Sequence, residues 1–322
     1  MANVIIYYGN LLESSTVSVS NENTSFPKYR LYDRDIGKLF KGGTNPTNFI
    51  ILIDQVTNMY GVSGLIIPAG HNLNSRVMRL QYSINPFPIT TVTLGSGGSG
   101  YTLNDVLTID QTGASGGTAT VTGVAAGVIT SISLTTGGTH YSIANGLSIT
   151  GGTGTGATIN VTAVDATNAV EWTQSGSGLI NKNFAHAEKR YWRLIIDGTN
   201  TLPELAELFL YTYYYTFVQN VAYDLQEKKH RNISRRETGS GKLRVKKYGE
   251  ARRYRNYKIN FFLAAQKTAL ELWESQCEGF KSIYVSDHNG DLMFMEILNE
   301  LTFIPVSDSL WSTELELMEV LA

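Results

Sequence analysis

Short apolar runs separated by turn residues make up much of residues 1–85 and 167–217. Each run is four to six residues long, which suits a β-strand better than a helix. Several short strands with turn signals between them predict a β-sandwich or jelly roll. The runs occupy residues 4–7, 49–53, 64–67, 77–82, 170–173, 191–196 and 206–211.

A repeated segment lies between these two parts. Residues 88–124 align with residues 128–164 at a constant offset of 40, and 13 of the 37 aligned positions are identical. Apolar residues alternate with Thr and Ser within each copy, and Gly-Gly or Gly-Ser pairs interrupt them, which is typical of short antiparallel strands. The stretch 86–166 contains no Lys or Arg. We therefore predict a Gly/Thr-rich β insertion over residues 86–166.

Two pairs of residues are candidates for contacting a glycan. Tyr101 and Tyr141 occupy equivalent positions in the two repeats. They either contact a glycan or a partner, or cap equivalent ends of a small core, and the second interpretation is preferred. His71 and Asn72 form the other pair. The preferred alternative for His71 is a turn residue that hydrogen-bonds its own backbone.

Three groups of short motifs follow one another in the parts that flank the insertion. They are FPKYRLYDRD at 26–35, then LII at 65–67 with HNL at 71–73 and LQYS at 80–83, then RYWRL at 190–194 with ELAEL at 204–208. In order and spacing they resemble the discoidin-like, or galactose-binding-like, jelly rolls. The resemblance implies one such jelly roll over residues 1–85 and 167–217. Members of that family often bind glycans or lipid head groups through loops at one end.

Charge is divided sharply in the last third of the chain. Residues 227–258 hold 13 Lys or Arg and three acids, a formal +10, whereas residues 264–322 hold two basic residues and 11 acids, a formal −9. A charge run is commonly a solvated face. Two alternatives to a solvated face remain open. Either the two segments attract each other within one fold, or the basic side of one subunit meets the acidic side of the next, in a heterologous interface that can close into a ring.

The pattern also predicts the elements of this last region. A strand runs to about residue 263, helical spacing covers 264–278, and strands are expected at 280–286, 292–298 and 313–320. A basic arm followed by strand, helix and further strands predicts an α+β domain whose helix lies on a sheet.

The order of these features carries a second resemblance. The basic run 235–255, the strand 259–263, the helix around 270–273, IYV at 283–285 and ELELMEV at 314–320 resemble the tail-tube-like domain of bacteriophage distal-tail and minor tail-tip proteins. The resemblance implies that residues 218–322 form a hexameric ring in the virion tail, assembled in the host cytoplasm. Its partners would be the tail tube protein and tail-hub or tape-measure proteins, with DNA only as cargo through the lumen.

Signals for catalysis are weak. The five histidines are scattered without the spacing of a metal site, and the single cysteine, Cys277, falls on the predicted helix as a small buried hydrophobe. We expect no enzyme activity, no cofactor and no metal. No apolar run approaches the length that spans a bilayer, so no membrane anchor is expected.

The sequence thus predicts a mainly β protein with one α+β domain, in which a jelly roll with a two-repeat insertion precedes a tail-tube-like domain. Its expected role is structural, as a ring that extends a phage tail tube and displays outward β modules. The alternative is a host-polysaccharide-binding attachment protein acting through the discoidin-like domain. A nucleic-acid binder that uses the basic arm is a third hypothesis. The predicted subunit-interface residues are Arg235, Arg236, Arg252, Arg253, Arg255, Glu314 and Glu316.

Overall fold

The computed structural model describes residues 3–43, 48–56, 59–198, 202–217, 226–230, 233–237, 243–247, 251–278, 281–287 and 289–320, with the backbone alone for the three segments between 226 and 247. In this part of the chain the protein is mainly β, with antiparallel sheets and a single α-helix.

The strands follow one another with short connections. Those of the first half are β1 (Ile5–Asn10), β2 (Thr16–Val19), β3 (Phe40–Lys41), β4 (Asn48–Asp54), β5 (Gly61–Ile67), β6 (Val77–Ser83), β7 (Ile89–Ser99), β8 (Val106–Ile109), β9 (Ser115–Ala125), β10 (Val128–Thr139), β11 (Ala144–Thr150) and β12 (Thr155–Val164). Those of the second half are β13 (Thr167–Thr173), β14 (Ile180–Glu188), β15 (Tyr191–Asp197), β16 (Glu204–Leu205), β17 (Phe209–Thr216), β18 (Gln226–His230), β19 (Ile233–Glu237), β20 (Leu243–Lys247) and β21 (Arg252–Leu263), then helix α1 (Ala264–Cys277), β22 (Ile283–Ser286), β23 (Leu292–Ile297), β24 (Ile304–Ser307) and β25 (Leu310–Glu319).

The predicted β-sandwich is present. A five-stranded sheet in the order β13-β6-β15-β4-β2 packs on one half of a larger sheet, in which β14, β5, β17 and β1 are neighbours. Alternate residues of each strand fill the space between the sheets, as the period of two along a strand requires. Ile51 and Ile53 on β4 and Trp192 and Leu194 on β15 are fully buried there.

The insertion folds into its own six-stranded sheet, in the order β10-β9-β8-β11-β12-β7. The two repeats are interwoven: the first strand of each repeat pairs with the last strand of the other, β7 with β12 and β10 with β9. The middle strands β8 and β11 pair with each other. Leu107, Val121, Ile159 and Val161 are buried in a core that both repeats share. Neither repeat therefore has a complete core or sheet without the other.

Strand β1 joins the sandwich to the C-terminal domain. One edge of β1 pairs with β17, and the other edge pairs with β22, so a single sheet continues through β23, β25 and β21 to β18. Val4, Ile6 and Tyr8 lie in the C-terminal core together with Leu270 and Trp273 of α1. Residues on both sides of the boundary predicted between 217 and 218 therefore line the C-terminal core, since β1 contributes to it.

The predicted elements of the C-terminal domain are close to those observed. Helix α1 begins at the expected residue and lies on the sheet, and Glu278 after it takes a left-handed conformation with φ of 51°. Its buried side is formed by Leu270, Trp273 and Cys277. In the sandwich, the strand expected at 206–211 instead begins at Phe209, because residues 206–208 are buried in the segment that precedes it.

Candidate functional site

The described parts of the basic segment form two antiparallel strand pairs, which together are called the arm. Strand β18 pairs with the first half of β21, and beyond it β19 pairs with β20. Within the described part of the chain, β19 and β20 pair only with each other. An isolated two-stranded hairpin is marginally stable in water, and its free edges are templates for pairing with another chain. The arm therefore presents unpartnered backbone.

The register of the arm places like charges opposite each other. Arg236 lies directly across from Arg244, and Lys229 lies directly across from Arg253. Like charges at directly opposed strand positions destabilise the pairing. Residues 227–250 carry nine Lys or Arg and three acids, a formal +6. Of the predicted interface residues, Arg235 and Arg236 lie on β19, and their side chains are outside the described part.

The base of the arm is tied to its own domain. The Arg255 Nη2 atom lies 3.2 Å from Asp287 Oδ2, and both side chains are buried. Asp287 Oδ1 also accepts the backbone N–H groups of Asn289 and Asp291. The sequence predicts a contact of Arg255 with a neighbouring subunit. The structure corrects that expectation, because a buried guanidinium paired with a carboxylate of the same chain is not a surface contact.

The neighbouring arginines are exposed. Arg253 has carboxylates of the same chain within ion-pair distance, with Nη1 3.7 Å from Asp291 Oδ2 and Nε 3.8 Å from Glu319 Oε2. Arg252 lies opposite His230 at the start of β21. At the base of the arm, the basic and acidic segments thus attract each other within one copy. This is the alternative in which the two charged segments pair inside a single fold.

Glu314 and Glu316 lie on one face of β25, and Leu315 and Leu317 on the other face are buried. Glu314 is directly opposite Lys258 of β21 and accepts a hydrogen bond from the Asn256 side chain. These two acids therefore lie beside the base of the arm in their own chain.

Three further acids of the C-terminal domain lie at its surface. Glu296, Glu300 and Asp308 are exposed, and none of them forms an ion pair within the described residues. None of them is among the interface residues predicted from the sequence. In the sequence, only their position within the acidic segment 264–322 distinguishes them.

His71 is a buried turn residue. Its Nδ1 atom accepts the Leu73 N–H, and its Nε2 atom lies 2.8 Å from the Gly178 carbonyl oxygen. Burial lowers the pKa of His71, since the charged ring loses hydration. The Asn72 side chain donates to the Leu202 carbonyl and accepts the backbone N–H of residue 204. These bonds fix a loop and agree with the preferred interpretation; His71 is enclosed and gives no surface for a glycan.

Tyr101 and Tyr141 are both core residues of the insertion. The Tyr141 hydroxyl donates to the Ile109 carbonyl at 2.7 Å and accepts the Gly117 N–H at 3.1 Å. Both rings are buried and present no surface to a glycan, which agrees with the preferred interpretation that they cap a small core.

An aromatic cleft that sequence reasoning missed lies on the large sheet. It encloses about 220 Å³, and its lining includes Tyr7, Asn183, Phe184, Tyr211 and Tyr214. The Tyr7 and Tyr211 rings are 4.8 Å apart, and the Tyr211 hydroxyl donates to Asn183 Oδ1 at 2.5 Å. Tyr214 is 56% exposed. Tyr7 and Tyr211 are buried at the base of the cleft, so its accessible lining is the Tyr214 ring, part of Phe184 and the Asn183 amide. The tyrosine-rich run 211–215 is the signal that could have found it.

The described residues offer neither a metal site nor a membrane-spanning helix. No three or more His, Cys, Asp and Glu side chains come together among them in a group that could hold a metal. In the same part of the chain, no helix is long and apolar enough to cross a membrane.

The comparisons with known proteins give distant structural likenesses. No protein-family model and no curated protein match the chain. A chitosan-binding module 1 derived from a chitosanase/glucanase of Paenibacillus sp. IK-5 is 14% identical, with a TM-score of 0.33 over 65% of this chain and 99% of that module. A GH29 fucosidase of Ruminococcus gnavus in complex with fucose is 12% identical, with a TM-score of 0.33 over 63% of this chain and 26% of the fucosidase. Superpositions this loose carry no argument about function.

Proposed function

We propose that this chain is a non-catalytic structural protein that assembles side by side into a ring through its basic arm. The observation that carries the proposal is the outer hairpin of the arm, in which β19 and β20 pair only with each other among the described residues and Arg236 lies opposite Arg244. An acidic neighbour would relieve that repulsion, and a neighbouring strand would complete the free edges.

The interface is heterologous. The arm carries the positive charge, and exposed Glu296, Glu300 and Asp308 of the same domain carry negative charge. Each copy uses one patch to contact the preceding copy and a different patch to contact the next. Such an assembly closes into a ring when the rotation between successive copies permits. By the resemblance to distal-tail and minor tail-tip proteins, the ring extends the tail tube of a bacteriophage, in contact with tube and hub proteins. The sandwich and insertion then project from it, and DNA passes through the lumen as cargo.

A charge-swap experiment tests the ring. One variant reverses the arm with Arg235→Glu and Arg236→Glu, and the other reverses the acids with Glu296→Arg and Glu300→Arg. In a heterologous ring each variant alone fails to assemble, whereas their mixture alternates around the ring and assembles. The readout is mass photometry and electron microscopy of the full chain at about 0.05 M and about 0.5 M salt.

The matched control reverses two cations outside the arm, Lys28→Glu and Lys38→Glu, which form exposed ion pairs with Glu22 and Asp35. It should assemble like the parent chain. A parent chain that stays monomeric at high concentration, or an arm variant that still forms rings alone, contradicts the proposal.

The aromatic cleft favours a second function, attachment to a host polysaccharide. Sugar rings present C–H faces and hydroxyl groups, and the cleft offers the exposed Tyr214 ring with the Asn183 amide beside it. A glycan array with the full chain tests it. Tyr214→Ala should abolish binding, whereas Tyr29→Ala, which removes a ring of similar exposure elsewhere on the protein, should not. Absence of glycan binding by the parent chain, or equal binding by the two variants, would contradict this function.

A further inference from the structure

A cavity of about 270 Å³ lies where the insertion meets the sandwich. Its floor is the outer face of the five-stranded sheet, where Arg193 is opposite Leu52 and Leu52 is opposite Ser18. Phe87 and His140 reach it from the insertion side, and residues 112 and 113 lie at its rim. The volume is close to the lower end of the range for ligand pockets, about 300 to 1,000 Å³.

Arg193 is the unusual member of this cavity. Its side chain is 2% exposed, yet every acceptor it contacts is neutral. Nε donates to Gln81 Oε1 at 2.9 Å, and Nη1 donates to the Tyr141 carbonyl at 2.6 Å and to Ser142 Oγ at 3.3 Å. Among the described residues, no carboxylate forms an ion pair with it; the acids at 54 on β4 and at 197 on β15 pair with the arginines at 190 and 79.

The second guanidinium nitrogen is available to a ligand. Nη2 of Arg193 has no acceptor in the described part of the chain and is not among the enclosed polar atoms. A buried cation is costly unless an anion accompanies it. Burial, and then repulsion by Arg79, lowers the pKa of Arg193 to about 10. The guanidinium therefore remains charged at neutral pH, and its burial without an anion remains unfavourable in free energy.

The remaining lining indicates which anion fits. Nη2 of Arg193 still has its two N–H groups to donate, which suits a single, singly charged carboxylate. The Phe87 ring centroid lies 4.1 Å from the guanidinium carbon, and Ile50 and Leu52 add apolar surface, whereas Ser18 and Thr112 carry hydroxyl groups. A multiply charged phosphate would meet only one buried arginine here. A ring with one carboxylate, several hydroxyls and an apolar face matches this lining better.

We propose that this cavity binds a sugar acid, with the carboxylate on Arg193 Nη2 and the sugar hydroxyls on the Ser and Thr side of the pocket. The ligand is a free uronic acid or a uronic acid residue within an acidic polysaccharide, since Thr112 and Gly113 leave the rim open. This site is separate from the aromatic cleft and from the arm, and it does not depend on ring formation.

Calorimetric titration of the full chain tests the proposal. Glucuronate should bind, whereas glucose, which lacks the carboxylate, and inorganic phosphate should bind at least about tenfold more weakly, the loss expected for one charge-assisted contact. A glucuronate-containing tetrasaccharide binding more tightly than the monomer would identify the polymer as the source. The reverse order would identify the free acid.

Two variants locate the site. Arg193→Met removes the cation, and Ser18→Phe fills the cavity without touching the hydrogen bonds of Arg193, so it remains informative if Arg193→Met loosens the insertion. Both should raise the dissociation constant for glucuronate at least about tenfold. Arg190→Met, a neighbouring arginine that pairs with Asp54, should leave it unchanged. Absence of glucuronate binding, equal binding of phosphate, or unchanged binding by Ser18→Phe overturns the proposal.

Discussion

Arg255 on β21 and Asp287 after β22 form a buried ion pair, with exposed side-chain fractions of 4% and 0% and a separation of 3.2 Å. The pair fastens the base of the arm to the loop that leads into β23. Because Asp287 also accepts two backbone N–H groups of that loop, one carboxylate holds both parts in place.

Removing one partner of this pair should destabilise the C-terminal domain strongly. Arg255→Met leaves Asp287 buried without its counter-charge, and we expect the free energy of unfolding to fall by about 3–5 kcal/mol. Urea unfolding followed by tryptophan fluorescence measures the change. Arg253→Met, which removes an exposed arginine two residues away, should cost less than about 1 kcal/mol. Equal losses in the two variants would show that Arg255 is not a buried pair partner.

The interwoven insertion should be sensitive to added bulk where its first strands cross. A Cβ atom on Gly97 would lie 2.5 Å from the Ile129 carbonyl oxygen, and one on Gly137 would lie 2.6 Å from the Ile89 carbonyl oxygen. Gly97→Ala and Gly137→Ala should each destabilise the insertion by about 1–3 kcal/mol, because backbone must move to relieve the clash. Hydrogen-exchange mass spectrometry over residues 89–164 measures it. Gly178→Ala, where a Cβ atom meets nothing within 4 Å, is the control. Unchanged hydrogen-exchange protection in both variants would contradict the close approach of β7 and β10.

Asp105 should make the insertion sensitive to acid. Hydrogen bonds from the Thr102 and Thr153 backbone N–H groups, together with their hydroxyls, lower the pKa of Asp105 to about 2. The unfolded chain has the ordinary value of about 3.9, so it binds a proton first as the pH falls. The contribution of Asp105 is therefore complete above about pH 4 and is lost as the pH falls through about 2.

The variant Asp105→Asn should lower the melting temperature at neutral pH and flatten its dependence between about pH 4 and pH 2. Circular dichroism during heating at several pH values measures both effects. Asp110→Asn is the matched control, because the Asp110 side chain forms no hydrogen bond within the described residues. An unchanged acid slope in Asp105→Asn would exclude the carboxylate as its origin.

The thiol of Cys277 should not react in the folded protein. Burial raises the pKa of Cys277 to about 12, so the reactive thiolate is scarce at about pH 8. Iodoacetamide labelling followed by mass spectrometry should modify Cys277 only after denaturation. A cysteine placed at an exposed position of the same helix, by Leu272→Cys, should be labelled rapidly without denaturation. Labelling of both at similar rates would show that the helix leaves the sheet.

Local pattern predicted those parts of the fold that depend on local sequence. The repeat, the alternation of apolar residues and the helical spacing over residues 264–278 each depend on neighbours within about ten residues, so the insertion, the strands and α1 could be anticipated. The spacing placed Leu272 on the apolar side beside Trp273, whereas Leu272 is exposed and the buried side runs through Leu270, Trp273 and Cys277. The run 4–7 also indicated a strand. That strand pairs with β22, which lies at the far end of the chain, and nothing in the run itself specifies so distant a partner.

The same distinction applies to the sites. Residue type suggested His71, Tyr101 and Tyr141, but burial removed them from the surface, and burial depends on packing that the pattern does not give. In the sequence, Arg193 is only one residue of a predicted strand. Its importance comes from Phe87 and residues 141 and 142 of the insertion, which tertiary structure brings to it.

The exchange of strands between the two repeats has a consequence for how the insertion could have arisen. Each copy contributes a first strand that pairs with the last strand of the other copy, which is the arrangement of a domain-swapped dimer whose subunits have become fused in one polypeptide. A peptide that spans residues 88–126 alone should accordingly associate in pairs. Gene duplication with fusion would then have converted an intermolecular contact into a permanent one.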